Sequence, residues 1–113
     1  MVKRDTFLEF AMEQLSRLGG VTGRAMFGGY GLYKGGKFFG IVHKKRLYFK
    51  TDDKTGALYV ERGMKPFAPN KKQTLKTYYE VPSEIIEDGG ELAEWAKKAV
   101  RCQVANKGRG KKR

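Results

Sequence analysis

Leu8, Ala11, Met12, Leu15 and Leu18 recur at three- and four-residue intervals, with Glu9, Glu13, Gln14 and Arg17 between them. That is the spacing of a helix with one buried face. Thr6-Phe7-Leu8-Glu9 reads as a capping box at its start, and Gly19-Gly20 as its left-handed stop near Leu18.

From Val21 to Lys50 the period drops to two and glycine punctuates, which predicts consecutive antiparallel strands. Val21 to Phe27 and Tyr30 to Tyr33 flank Gly28-Gly29, and Lys34-Gly35-Gly36-Lys37 is a hairpin turn leading into Lys37 to His43. Phe38-Phe39-Gly40-Ile41-Val42 is apolar on both faces, so this strand is expected to be central, with Gly40 marking a bulge or a close backbone approach. Lys44-Lys45 turns into Arg46 to Lys50, where Leu47 and Phe49 face the core and Arg46, Tyr48 and Lys50 face out.

Asp52-Asp53-Lys54-Thr55 opens a short helix through Val60, ended by Gly63, and Pro66 shapes the connection that follows. Lys76 to Val81 has strand composition and stops at Pro82. From about Gly90 a second amphipathic helix places Leu92, Trp95, Ala96, Ala99 and Val100 on one side, with order expected to end near Ala105. The chain thus predicts an α+β fold, two-layer, with helices packed on one antiparallel sheet. Residues 1–105 form the domain and 106–113 a disordered basic tail.

At 113 residues, the chain has the length of a single domain. No stretch approaches the roughly 20 apolar residues of a spanning helix, and the first residues lack a signal core, so a cytoplasmic location is expected, away from membrane. Lys and Arg number 24 against 12 Asp and Glu, a net +12. The charges are segregated: residues 34–76 are mainly basic, Glu80 to Glu94 holds acids without a basic partner, and Lys107, Arg109, Lys111, Lys112 and Arg113 crowd the end. A basic flank with a basic tail is the footprint of a phosphate-backbone binder, although solvated lysines also serve solubility alone.

The single cysteine, Cys102, and single histidine, His43, exclude a disulfide framework and a thiolate zinc site, and leave no metal or cofactor expected. Cys102 reads as a small buried hydrophobe and His43 as a half-buried side chain at a strand end. Gly29-Tyr30-Gly31 lacks the third glycine of a dinucleotide fingerprint, and no Walker sequence occurs. Phe38, Phe39, Tyr48 and Phe49 suggest a base-stacking platform, but KGGKFFGIVH does not match the RNA-recognition signature; Phe38, Phe39 and Phe49 read as core and Tyr48 as outward-facing.

Ala25-Met26-Phe27-Gly28-Gly29-Tyr30-Gly31-Leu32-Tyr33 resembles the N-terminal domain of the TfoX/Sxy family of competence regulators. The resemblance continues through Arg46-Leu47-Tyr48-Phe49-Lys50, Gly63-Met64-Lys65-Pro66-Phe67, Tyr78-Tyr79-Glu80-Val81-Pro82 and Leu92-Ala93-Glu94-Trp95-Ala96, over roughly residues 6 to 102. It implies an α-β-β-β-α-β-β-α order similar to the secretion-chaperone-like and YjbR-like group, and no enzyme activity. It also implies regulators that assist a transcription factor such as cyclic-AMP receptor protein. The family's full-length regulators resemble two-domain proteins, and a counterpart of their second, helical domain is not expected here.

The resulting expectation is a non-enzymatic transcriptional regulator that binds DNA or a DNA-bound partner. Its nucleic-acid contacts are expected at Lys44, Lys45, Arg46, Tyr48 and Lys50 on the fold, and at Lys107, Arg109, Lys111, Lys112 and Arg113 in the tail. The alternative is a protein-interaction module or homodimer with no nucleic-acid role.

Overall fold

A computed structural model describes residues 6–26, 28–70 and 72–111, with side chains of the last helix described through Cys102. Helix α1 (Thr6–Gln14) continues as a 3-10 turn over Leu15–Arg17, and Gly19 and Gly20 at φ 80° and 71° end it as their position requires. α1 begins at Thr6 itself, so Thr6 is a helical residue; the cap position before it lies outside the described residues. Strands β1 (Val21–Met26), β2 (Gly29–Lys34), β3 (Lys37–His43) and β4 (Arg46–Lys50) form a meander. The predicted end of the first strand at Phe27 lies outside the described residues.

Helix α2 (Asp53–Glu61) then leads to β5 (Pro66–Asn70), β6 (Gln73–Glu80), the short α3 (Ser83–Ile86) and the long α4 (Gly89–Lys111). The six strands formed by the described residues lie in the order β1-β2-β3-β4-β6-β5, every neighbouring pair antiparallel. The fold is α+β, with helices packed on an open sheet, and its meander holds one strand more than the order the resemblance implies.

β5 and the short α3 are elements the residue pattern did not predict. Pro66 and Pro69 carry no amide proton, so the segment reads as a connection, yet an edge strand tolerates such gaps on its outer side. α2 has a complete capping box: Asp52 Oδ1 accepts from the Thr55 amide at 2.9 Å, and Thr55 Oγ1 accepts from the Asp52 amide at 3.0 Å.

One sheet face carries the main core. Leu32, Phe39, Val42, Leu47 and Phe49 meet Ala11 and Leu15 below α1, Tyr59 from α2, and Leu92, Trp95, Ala96 and Ala99 from α4. The opposite face carries a smaller cluster of strand residues: Ile41, Tyr48, Phe67 and Tyr78, with Phe38 and Leu75 against them. A register shift separates the pairs Leu32↔Gly40 and Tyr33↔Phe38, so Phe39 is the extra residue of a bulge. A Cβ at Gly40 would come within 3.0 Å of the Tyr48 carbonyl oxygen, which is the close approach expected there. No helix among the described residues is long and apolar enough to cross a membrane.

Candidate nucleic-acid interface

His43 pairs with Arg46, so β3 and β4 are joined by a two-residue loop, Lys44 and Lys45. Such loops match the twist of a hairpin when both residues have positive φ, a conformation that suits Asn-Gly. Here two exposed lysines take it, at φ 50° and 64°. The left-handed conformation costs a residue with a Cβ about 1 to 2 kcal/mol. Neither lysine has an ion pair among the described residues.

The neighbouring turns gather at the same end of the sheet. A Cβ on Gly29, just after the β1–β2 turn, would run into the Val42 carbonyl oxygen, so that turn packs beside the lysine loop. Lys65 arrives from the other side: its carbonyl accepts the Glu80 amide at 3.0 Å, next to the Arg46–Glu80 pair. Lys65 was not among the nucleic-acid contacts expected from sequence; its place at this end of the sheet follows from the pairing of β5 with β6.

The expected cluster along β4 is divided. Arg46 Nη1 donates to both carboxylate oxygens of Glu80 at 3.1 Å, so much of its charge is matched. Lys50 stands at the far end of β4, about 13 Å from Arg46 at a strand's rise per residue. Its Nζ donates to Thr77 Oγ1 at 2.9 Å and lies 5.3 Å from the centre of the Tyr78 ring, and burial lowers its ammonium below the ordinary value.

Tyr48 does point away from Leu47 and Phe49, but it is only 9% exposed, with its ring centroid 4.7 Å from that of Phe67. Burial, and then the nearby Glu80, raise its phenol above the ordinary value. The aromatics do not form one platform. Phe39 and Phe49 lie in the helix-covered core, while Tyr33, Phe38 and Tyr78 line the other face with successive centroids 5.3 Å apart. Arg24 sits over Tyr33 at 5.7 Å and Lys50 over Tyr78, so a cation covers each end of that row.

His43 packs edge-on against Phe67 with centroids 5.2 Å apart. Cys102 is buried on α4, its Sγ 3.6 Å from Thr55 Oγ1, and burial pushes its thiol up. The backbone of α4 runs through Lys107 and Arg109 to Lys111, while the side chains of these residues, with Lys112 and Arg113, lie outside the described residues.

A family model described as the TfoX N-terminal domain matches residues 13–103, a span from the end of α1 past Cys102 that includes every strand. The chain belongs to the TfoX N-terminal domain family. Within it, DNA transformation protein TfoX1 of Aliivibrio fischeri is 35% identical over 75 residues, 65% of this chain and 35% of that protein. The match therefore spans about a third of the relative's length. The TfoX domain places its glycine-rich Gly28-Gly29 turn directly beside the Lys44-Lys45 loop, which links the segment that carries the resemblance to two exposed cations at the end of the sheet.

Proposed function

We propose that this TfoX-family chain is a non-enzymatic, competence-related regulator that contacts the phosphate backbone of DNA through Lys44 and Lys45, alone or beside a DNA-bound transcription factor. The observation that carries the reading is the left-handed loop: two lysines occupy positions where Asn-Gly would relieve strain. A charge held at a conformational cost on an exposed tip is suited to an anionic partner. Lys65 adds a third cation at that end, and the basic residues from Lys107 to Arg113 supply a second contact region.

The test is binding to a mixed-sequence duplex across a salt series. Each lost phosphate contact lowers the slope of log affinity against log salt by about 0.9. Lys44→Ala with Lys45→Ala should therefore lower it by about 1.8, and ending the chain at Ala105 should lower it further. No binding by the full chain at low salt, or a slope untouched by the loop substitutions, overturns the reading.

A further inference from the structure

We propose that the outer edge of β1 is a docking site for an extended segment of a partner protein that alternates acidic and apolar residues, added to the sheet as an extra strand. The open sheet has two edges, and they are built differently. β5 carries Pro66 and Pro69 and pairs with β6 through two register shifts, features that blunt an edge against further pairing. β1 has neither. It pairs with β2 in unbroken register from Val21↔Lys34 to Met26↔Gly29, contains no proline, and exposes Thr22, Gly23, Arg24 and Ala25. Among the described residues its backbone bonds only with β2, leaving its outward amides and carbonyls to another strand.

The side chains specify the chemistry. Between Leu18 and Thr51 there is no aspartate or glutamate, while Arg24, Lys34, Lys37, Lys44, Lys45, Arg46 and Lys50 are all basic. A second copy would set the same cations against these, whereas an acidic strand complements them. Arg24 lies mid-strand opposite Gly31, where a Cβ would press on Met26 and Phe38; the absence of a side chain lets the guanidinium lean over Tyr33. A carboxylate on the incoming strand beside Arg24 would pair with it on that face. On the other face Val21, Gly23 and Ala25 form a low row, with nothing closer than 3.9 Å to a Cβ at Gly23, and accept apolar side chains.

The experiment uses the full chain and three synthetic peptides: alternating Val-Glu, alternating Val-Lys, and the Val-Glu peptide with its backbone N-methylated, which keeps the charge and removes the ladder donors. NMR amide shifts and hydrogen exchange locate the site. The Val-Glu peptide should bind with protection confined to residues 21–26, and the other two should bind at least about tenfold more weakly. Arg24→Glu should reverse the preference between Val-Glu and Val-Lys. Equal binding of the N-methylated peptide, perturbation centred outside β1, or no binding overturns the proposal. So does a dimer whose β1 amides are already protected without peptide.

Discussion

Phe67 and Tyr48 pack as a tilted ring pair with centroids 4.7 Å apart although their strands, β5 and β4, are separated by β6. The contact depends on the irregular pairing of β5 with β6, where one step from Pro66 to Phe67 moves the partner from Tyr79 to Leu75. That jump bends the edge strand over the helix-free face and closes a second apolar cluster. Phe67 is 1% exposed, so Phe67→Ala should cost roughly 3 to 5 kcal/mol, read from chemical denaturation. The same variant should bring the Tyr48 phenol back toward its ordinary value in an absorbance titration, since burial is the main cause of its rise.

The lysine loop should show a trade between stability and binding. Lys45→Gly places glycine at the second position of a turn that favours it, at φ 64°. Stability should rise by about 1 kcal/mol. The salt slope of duplex binding should fall by about 0.9 if Lys45 touches one phosphate. Denaturation and the salt series on the same preparation check both.

Two adjacent glycines should behave differently. At Gly29 a Cβ would meet the Val42 carbonyl, which belongs to the sheet and cannot step aside, so Gly29→Ala should cost about 3 kcal/mol. Gly28 has open space but φ 77°, so Gly28→Ala should cost only the conformational penalty of about 1 to 2 kcal/mol. Reversed ranking in thermal unfolding would contradict the packing of the two turns.

Asp52 caps α2, and the backbone hydrogen bond from Thr55, ahead of the side-chain bonds, holds its carboxyl below the ordinary value. A folded-state value below the unfolded one gives stability that is present above the ordinary carboxylate range and lost as pH falls through the lowered value. Asp52→Ala should cost about 1 kcal/mol at neutral pH and less in acid. Asp52→Asn should keep the cap and lose that pH dependence, a difference visible in denaturation midpoints at the two pH values.

Alkali should act through the tyrosines. Burial pushes Tyr78 up to about 12 and raises Tyr59 further. Because the folded values lie above the unfolded one, their contribution is complete below pH of about 10 and is lost as pH rises toward the folded values. Native-state absorbance should show late-ionising tyrosines, and Tyr78→Phe should reduce the alkaline loss of stability.

Much of this architecture can be read from neighbours in the chain. The period of Leu8 to Leu18, the alternation from Val21 to Lys50, the left-handed glycines at 19 and 20, and the Leu92–Ala99 face of α4 all correspond to observed elements. The Lys44-Lys45 turn was equally legible, because a two-residue loop is a local object. β5 was not, since proline argues against a strand unless the segment is known to lie at an edge. Tyr48 was read correctly as opposite to Leu47 and Phe49, but its burial comes from Phe67, which no local pattern brings near.

By itself, then, the sequence determined the three longer helices and the meander, the family, and a basic chain with two exposed lysines at a hairpin tip. Those follow from periodicity and composition, which act between residues a few positions apart. Only the tertiary structure decided that Arg46 is paired with Glu80, that Lys50 is turned toward Thr77 and Tyr78, and that Lys65 lies at the Glu80 end of β6. The reason is strand order: inserting β6 between β4 and β5 sets residues some thirty positions apart against one another, and charge pairing and burial depend on that distance in space.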